Sequence, residues 1–133
     1  MAFGTVEVDT LVTSTQTLTI DDIAKTTDIS TSLADWDSVD NTGNNTTLTV
    51  NKRFLLDSSA SAFTVKLPIS TSVTGGEFVV LADANGTFST NNVTVEGNGS
   101  NIVGDSADLE LDVDRAVVRL IYSGDATTGW LVK

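Results

Sequence analysis

The chain is predicted to be all-β, and three observations carry that expectation. Its 133 residues include a single proline and are dominated by Thr, Ser and Val; the β-branched Thr and Val fit a half-buried pleated surface better than a helix. Strong helix formers are comparatively scarce. Short apolar or alternating runs recur at roughly ten-residue spacing, each closed by Gly, Asn, Asp or Ser. The fullest example is residues 77–99. The apolar run Phe78-Val79-Val80-Leu81-Ala82 stops at Asp83-Ala84-Asn85-Gly86, an alternating run follows through Val93-Thr94-Val95-Glu96, and Gly97-Asn98-Gly99 ends it. About nine or ten such strands predict an antiparallel sandwich or jelly-roll-like module.

Taken in order, residues 5–20 read as extended structure of period two. The even positions Val6, Val8, Val12, Leu18 and Ile20 supply a partly apolar face, and Thr with a few acids supplies the other. Residues 14–16 are the weak point where a turn would split the run into two strands. Residues 21–45 lose the alternation. Ser32 followed by Asp35, with Leu33, Trp36 and Val39 at spacing three, predicts a short helix or 3₁₀ turn near 32–39. From Thr46 the strand signals become dense: Leu48 and Val50, the run Phe54-Leu55-Leu56, then Phe63, Val65 and Leu67 up to Pro68, which cannot donate to a ladder. After the 77–99 stretch come Ile102-Val103, the alternating Leu109, Leu111 and Val113, and residues 116–123, expected to be a buried strand apolar on both faces. Trp130-Leu131-Val132 is the last strand.

Charge divides the chain unevenly. The formal net charge is -11; up to Asn51 there are eight acids and one base, and from Lys52 onward ten acids and six bases. Large apolar residues are also sparse before Asn51. The expected organisation is therefore an extended Thr-rich arm over residues 1–51, an oligomerisation segment poorly equipped to bury a core alone, and a β-module over 52–133. The arm's apolar side chains Phe3, Val6, Val8, Leu11, Val12, Leu18, Ile20 and Trp36 are its expected interface residues.

Composition excludes several functions. The acidic balance disfavours nucleic-acid backbones and anionic membrane surfaces, which select Lys and Arg. With no cysteine and no histidine, there is no thiolate zinc site, no disulfide and no Ser-His or Cys-His nucleophile pair. No secretory leader is expected at the first residues, and no apolar run reaches the roughly 18 residues of a membrane helix.

The remaining candidates for chemistry are carboxylates. Asp83-x-Asn85-Gly86 is similar to part of an EF-hand loop but lacks the later ligands, so it reads as a turn. Gly97-x-Gly99 has no third glycine and no βαβ context for a dinucleotide. Glu110, Asp112 and Asp114 share one strand face and read as a solvated row, with a divalent cation or Arg115 and Arg119 as alternative partners. Glycosidases need two carboxylates with pKa values pushed apart in a cleft, and no such pair is identifiable. No catalytic residue, cofactor or metal is expected, and no enzyme.

Residues 53–133 resemble bacteriophage virion proteins, among them capsid decoration (cement) proteins and short modules of tail fibres and other appendages. The resembling segments are Phe54-Leu55-Leu56-Asp57, Val65-Lys66-Leu67-Pro68, residues 76–87, residues 91–102, Ile121-Tyr122-Ser123-Gly124 and Gly129-Trp130-Leu131-Val132. The opening Gly4-Thr5-Val6-Glu7-Val8-Asp9-Thr10-Leu11 is similar to the start of phage structural proteins. The resemblance implies a homotrimer in the virion, made in the host cytoplasm, with the major capsid protein as partner and no chemistry. A short chain with an adhesive arm fits decoration of the capsid surface; the alternative is a tail or neck appendage that binds host glycans through Trp36 or Trp130.

Overall fold

In the computed structural model, residues 10–12, 17–19 and 36–133 are described. The chain divides into two compact units, Met1–Asp35 and Trp36–Lys133. In the first, β1 (Thr10–Val12) pairs antiparallel with β2 (Thr17–Thr19), Leu11 opposite Leu18. These strands flank the weak point expected at residues 14–16, which lies outside the described residues.

The second unit is a two-layer β-sandwich. One sheet has five strands in the order β11-β10-β7-β5-β3 and the other four in the order β4-β6-β8-β9. Their ranges are β3 Asp37–Asp40, β4 Thr46–Thr47, β5 Lys52–Asp57, β6 Phe63–Lys66, β7 Phe78–Asp83, β8 Val93–Glu96, β9 Leu109–Leu111, β10 Val117–Tyr122 and β11 Trp130–Val132. Two 3₁₀ turns, Asn41–Gly43 and Ser70–Ser72, are the helical structure among the described residues.

The all-β class expected from composition is what forms, but the antiparallel, jelly-roll-like arrangement needs correction. Both sheets are mixed: β3, β5 and β7 run parallel to one another, as do β4, β6 and β8, while β8–β9, β7–β10 and β10–β11 are antiparallel. The reason lies in the connections. A short Gly/Asn/Asp loop reads as a hairpin that returns the chain to the neighbouring strand. Here the loops after β3, β4, β5, β6 and β7 each carry the chain into the opposite layer. Every second strand therefore returns to the same sheet in the same direction, and three turns of a flattened coil result.

Two boundaries also move. Residues 37–39, expected to be helical, belong to β3; residues 32–35 lie outside the described part. The boundary expected at residue 51 falls at 35/36, because β3 and β4 join the two sheets. Both are polar edge strands, and counting large apolar residues does not see them.

The core sits between the layers. Phe54, Leu56, Val79, Leu81, Leu120, Tyr122 and Trp130 from one sheet meet Phe63, Val65, Val93, Val95 and Leu111 from the other, with Leu48, Leu67, Phe88 and Ile102 from loops. The alternation of buried and partly exposed residues along β5, β6 and β8 is the period-two pattern of strands with one face inward. Tyr122 and Trp130, cross-strand partners, pack with ring centres 5.2 Å apart and planes tilted by 54°, an arrangement that adds to their burial.

Candidate functional site

Three parallel strands of the five-stranded sheet end in aspartate: Asp40 closes β3, Asp57 closes β5 and Asp83 closes β7. Each carboxylate folds over the corner that follows. Asp40 accepts from the amide and hydroxyl of Thr42 at 2.9 and 2.5 Å, and Asp57 from the amide and hydroxyl of Ser59 at 2.9 and 2.6 Å. This is the Asx-turn, in which a short acidic side chain stands in for a backbone acceptor. The sequence Asp-x-Thr, Asp-x-Ser, Asp-x-Asn at the three strand ends is thus a repeat of corners, one for each turn of the coil.

Asp83 goes further. Its Oδ1 accepts from the amides of Asn85 and Gly86 at 3.1 and 2.9 Å. Its Oδ2 accepts from the amides of Thr87, Phe88 and Arg115 at 2.9, 3.3 and 3.0 Å. The side chain is 6% exposed. Burial pushes its carboxyl pKa up, but the amides of Arg115, Phe88, Gly86 and Asn85 together outweigh it, and the net displacement is downward from 3.8. Five donors occupy a group with about four lone-pair sites, so the Asp83 carboxylate has no acceptor capacity left for a cation. The EF-hand-like spacing is a turn, as its sequence indicates.

Asp40 and Asp57 are neighbours in the parallel register of β3 and β5. They face an open recess of about 510 Å³ lined also by Ser38, Thr42, Thr46, Leu55 and Asn85. Thr42 holds the Asp40 carboxyl below its ordinary value, and Ser59, aided by Asn85, does the same for Asp57. Two carboxylates both held low stay ionised together, the reverse of an acid–base pair whose members are pushed apart. Among the described residues, no group of three or more Asp and Glu side chains is gathered as a metal site.

The row Glu110, Asp112, Asp114 does not act as a unit. Glu110 accepts from Asn92 Nδ2 at 3.1 Å, and Asp114 accepts from the Ser89 amide and hydroxyl at 2.7 and 2.9 Å. Arg115 Nη1 donates to the Ala84 carbonyl at 3.3 Å, and the Arg119 guanidinium lies 4.6 Å from the centre of the Phe78 ring.

Of the expected interface residues, Phe3, Val6, Val8 and Ile20 lie outside the described residues. Leu11, Val12 and Leu18 belong to the β1–β2 pair. Trp36 opens the second unit and is 37% exposed, whereas Trp130 is fully buried and cannot stack on a sugar. Sequence reasoning missed the recurring Asp corners, although their signal was present: an aspartate ending an apolar run, with Ser, Thr or Asn two residues on. Neither protein-family models nor curated proteins give a match to this chain.

The depressed carboxyl groups predict an acid-sensitive fold. A carboxyl whose folded pKa lies below its unfolded value stabilises the fold above the unfolded value, and that contribution disappears as pH falls through the folded one. For Asp40, Asp57, Asp83 and Asp125, all displaced downward from 3.8, the loss runs from about pH 5 downward. Urea unfolding should give a lower midpoint at pH 3 than at pH 7 with the same slope; equal midpoints would contradict the assignment.

Proposed function

We propose that this chain is a structural protein of a bacteriophage virion, a capsid decoration protein that binds the major capsid protein and stabilises the shell. The observation that carries this reading is the use made of the acidic side chains. The one buried carboxylate among the described residues is filled by backbone amides, and the strand-end aspartates brace corners. The polar chemistry of the described part serves the rigidity of a sandwich. The division of the chain between residues 35 and 36 is compatible with an N-terminal segment whose role is distinct from that of the sandwich. Such a protein works by burying area across junctions in the shell, where each 1,000 Å² of apolar burial is nominally about 25 kcal/mol before large entropic costs.

Deleting residues 1–20 is expected to abolish capsid binding and to lower the temperature at which particles lose their contents. Particles lacking the protein that resist heat and pressure as well as complete ones would overturn the reading. Copy number separates the two virion locations: hundreds per particle place it on the shell, and a few to dozens place it on a tail or neck appendage.

A further inference from the structure

Two segments carry the same reactive sequence, Asn-Gly followed by a hydroxyl residue: Asn85-Gly86-Thr87 and Asn98-Gly99-Ser100. In such a pair the glycine main-chain nitrogen can attack the asparagine carboxamide, because glycine brings no Cβ to obstruct the approach. The fold treats the two in opposite ways. At the first, the amides of Gly86 and Thr87 donate to Asp83 Oδ1 and Oδ2, both at 2.9 Å, and the Thr87 hydroxyl lies 2.9 Å from that of Ser58. Arg115 closes over the corner, its Nε 2.7 Å from where a Cβ on Gly86 would stand. A nitrogen facing an ionised carboxylate keeps its proton, since losing it would set two negative charges side by side. At the second, Asn98 and Gly99 have φ 50 and 93, the centre of a primed turn closed by the Ser100 amide on the Gly97 carbonyl at 3.2 Å. Gly99 is exposed, and its amide donates to no group among the described residues. Ser100 Oγ is buried and has no hydrogen-bond partner among them. What restrains this site is the Asn98 side chain, whose Nδ2 donates to the Leu67 carbonyl at 2.8 Å.

We propose that Asn98 is a self-modification site: it deamidates in the folded protein, while Asn85 is protected by Asp83. The Gly99 nitrogen, its proton lost to hydroxide, bonds to Asn98 Cγ. The Cγ–Nδ2 bond then breaks, and Nδ2 leaves as ammonia with a proton drawn from water. The uncommitted Ser100 hydroxyl, two residues on, is available as a donor to the charge that develops on Oδ1. Water opens the resulting cyclic imide at one carbonyl or the other, leaving aspartate or isoaspartate, and nothing is oxidised or reduced. Either product takes the donor away from the Leu67 carbonyl and sets a carboxylate near it. Isoaspartate also lengthens the main chain of the turn by one carbon. Leu67 is fully buried and directly follows β6, so the reaction loosens this end of the sandwich and adds a negative charge to an acidic chain.

This site is independent of the virion reading and is tested on the unaltered full chain. Folded protein is held in mildly alkaline buffer at body temperature, and the peptides bearing Asn98 and Asn85 are followed by mass spectrometry, each event replacing NH₂ by OH. Because the charged hydrogen bond at Gly86 must break before attack, Asn98 should lead Asn85 by at least about tenfold. In concentrated guanidinium chloride both sequences are free, and the two rates should converge. Asn98→Asp, which imitates the aspartate product, should lower the Tm by about 5 °C. An Asn85 rate equal to or above that of Asn98 in the folded protein overturns the proposal. So does a folded protein whose Asn98 stays intact after the unfolded chain has reacted completely, or a rate ratio that denaturation leaves unchanged. An Asn98→Asp variant that melts with the wild type overturns the loosening assigned to the reaction.

Discussion

Replacing Asp83 with Ala is expected to lower the stability of the second unit by about 4 kcal/mol, among the largest effects available to a single substitution. The carboxylate collects amides from its own corner and from Arg115 in the loop before β10, so its removal loosens two segments at once. Hydrogen bonds to a charged group contribute about 1.5–3 kcal/mol each, and a buried amide left unpaired costs about 1–3 kcal/mol. These terms do not add fully, because the freed corner can shift toward water. For a domain of this size the change corresponds to a fall in Tm of roughly 15–30 °C. Asp83→Asn keeps one acceptor oxygen but turns an NH₂ group toward amide donors, so it should lose more than half of that stability. Its unfolding midpoint should also depend less on pH between 7 and 3 than that of the wild type. Thermal and urea unfolding of both variants check this. An Asp83→Ala protein within about 1 kcal/mol of the wild type would show that the five amides find other acceptors.

Gly129→Ala carries the second large expectation, about 3 kcal/mol or more. Gly129 has φ +71, and a Cβ there would overlap the carbonyl oxygen and carbon of Asn101. Both atoms are backbone and neither can swing aside. The loop around Asn101 is held against β11, since the Trp130 amide donates to the Asn101 carbonyl at 2.9 Å and the Val103 amide to the Trp130 carbonyl at 2.8 Å. Relieving the clash means moving either that loop or Trp130, which fills the core. Gly76 provides the control. It has φ +95, and a methyl group added there would meet nothing within 4 Å, so Gly76→Ala meets the conformational penalty alone, about 1 kcal/mol. Comparing the two Tm values isolates the close approach; equal losses would mean that the backbone conformation, not the contact with Asn101, governs the site.

The strands were legible in the sequence because alternation reports which residues face inward whatever the sheet order. Phe63, Val65 and Leu67, and Val93 and Val95, are buried as their spacing indicates. The order of strands was not legible. Asp57-Ser58-Ser59 has the composition of a hairpin turn, and nothing local distinguishes a corner that reverses the chain within a sheet from one that lifts it into the other layer. That difference is set by long-range partners: Ser58, fully buried, meets Thr87 through their hydroxyls at 2.9 Å, and its carbonyl accepts from Asn91 Nδ2 at 2.8 Å. β3 was missed for another reason. Asp37, Ser38 and Asp40 lack β-propensity, and the strand exists because β5 offers it a parallel edge and Lys52 Nζ lies 3.1 Å from Asp37 Oδ2. The two-sided apolar character of residues 116–123 was visible early. What the structure adds is that only one of those sides faces the core.

The crossing of the chain between layers has a consequence in time. Its ladders join Lys52 with Val79 and Phe63 with Val93, residues whose intervening chain must be laid down in the opposite sheet. Neither sheet can be completed before the other, and the local β10–β11 ribbon is too short to serve as a template alone. Topologies dominated by such distant pairings fold slowly, in milliseconds to seconds. The same interdependence acts in reverse: a strand cannot leave one layer without pulling its neighbours from the other.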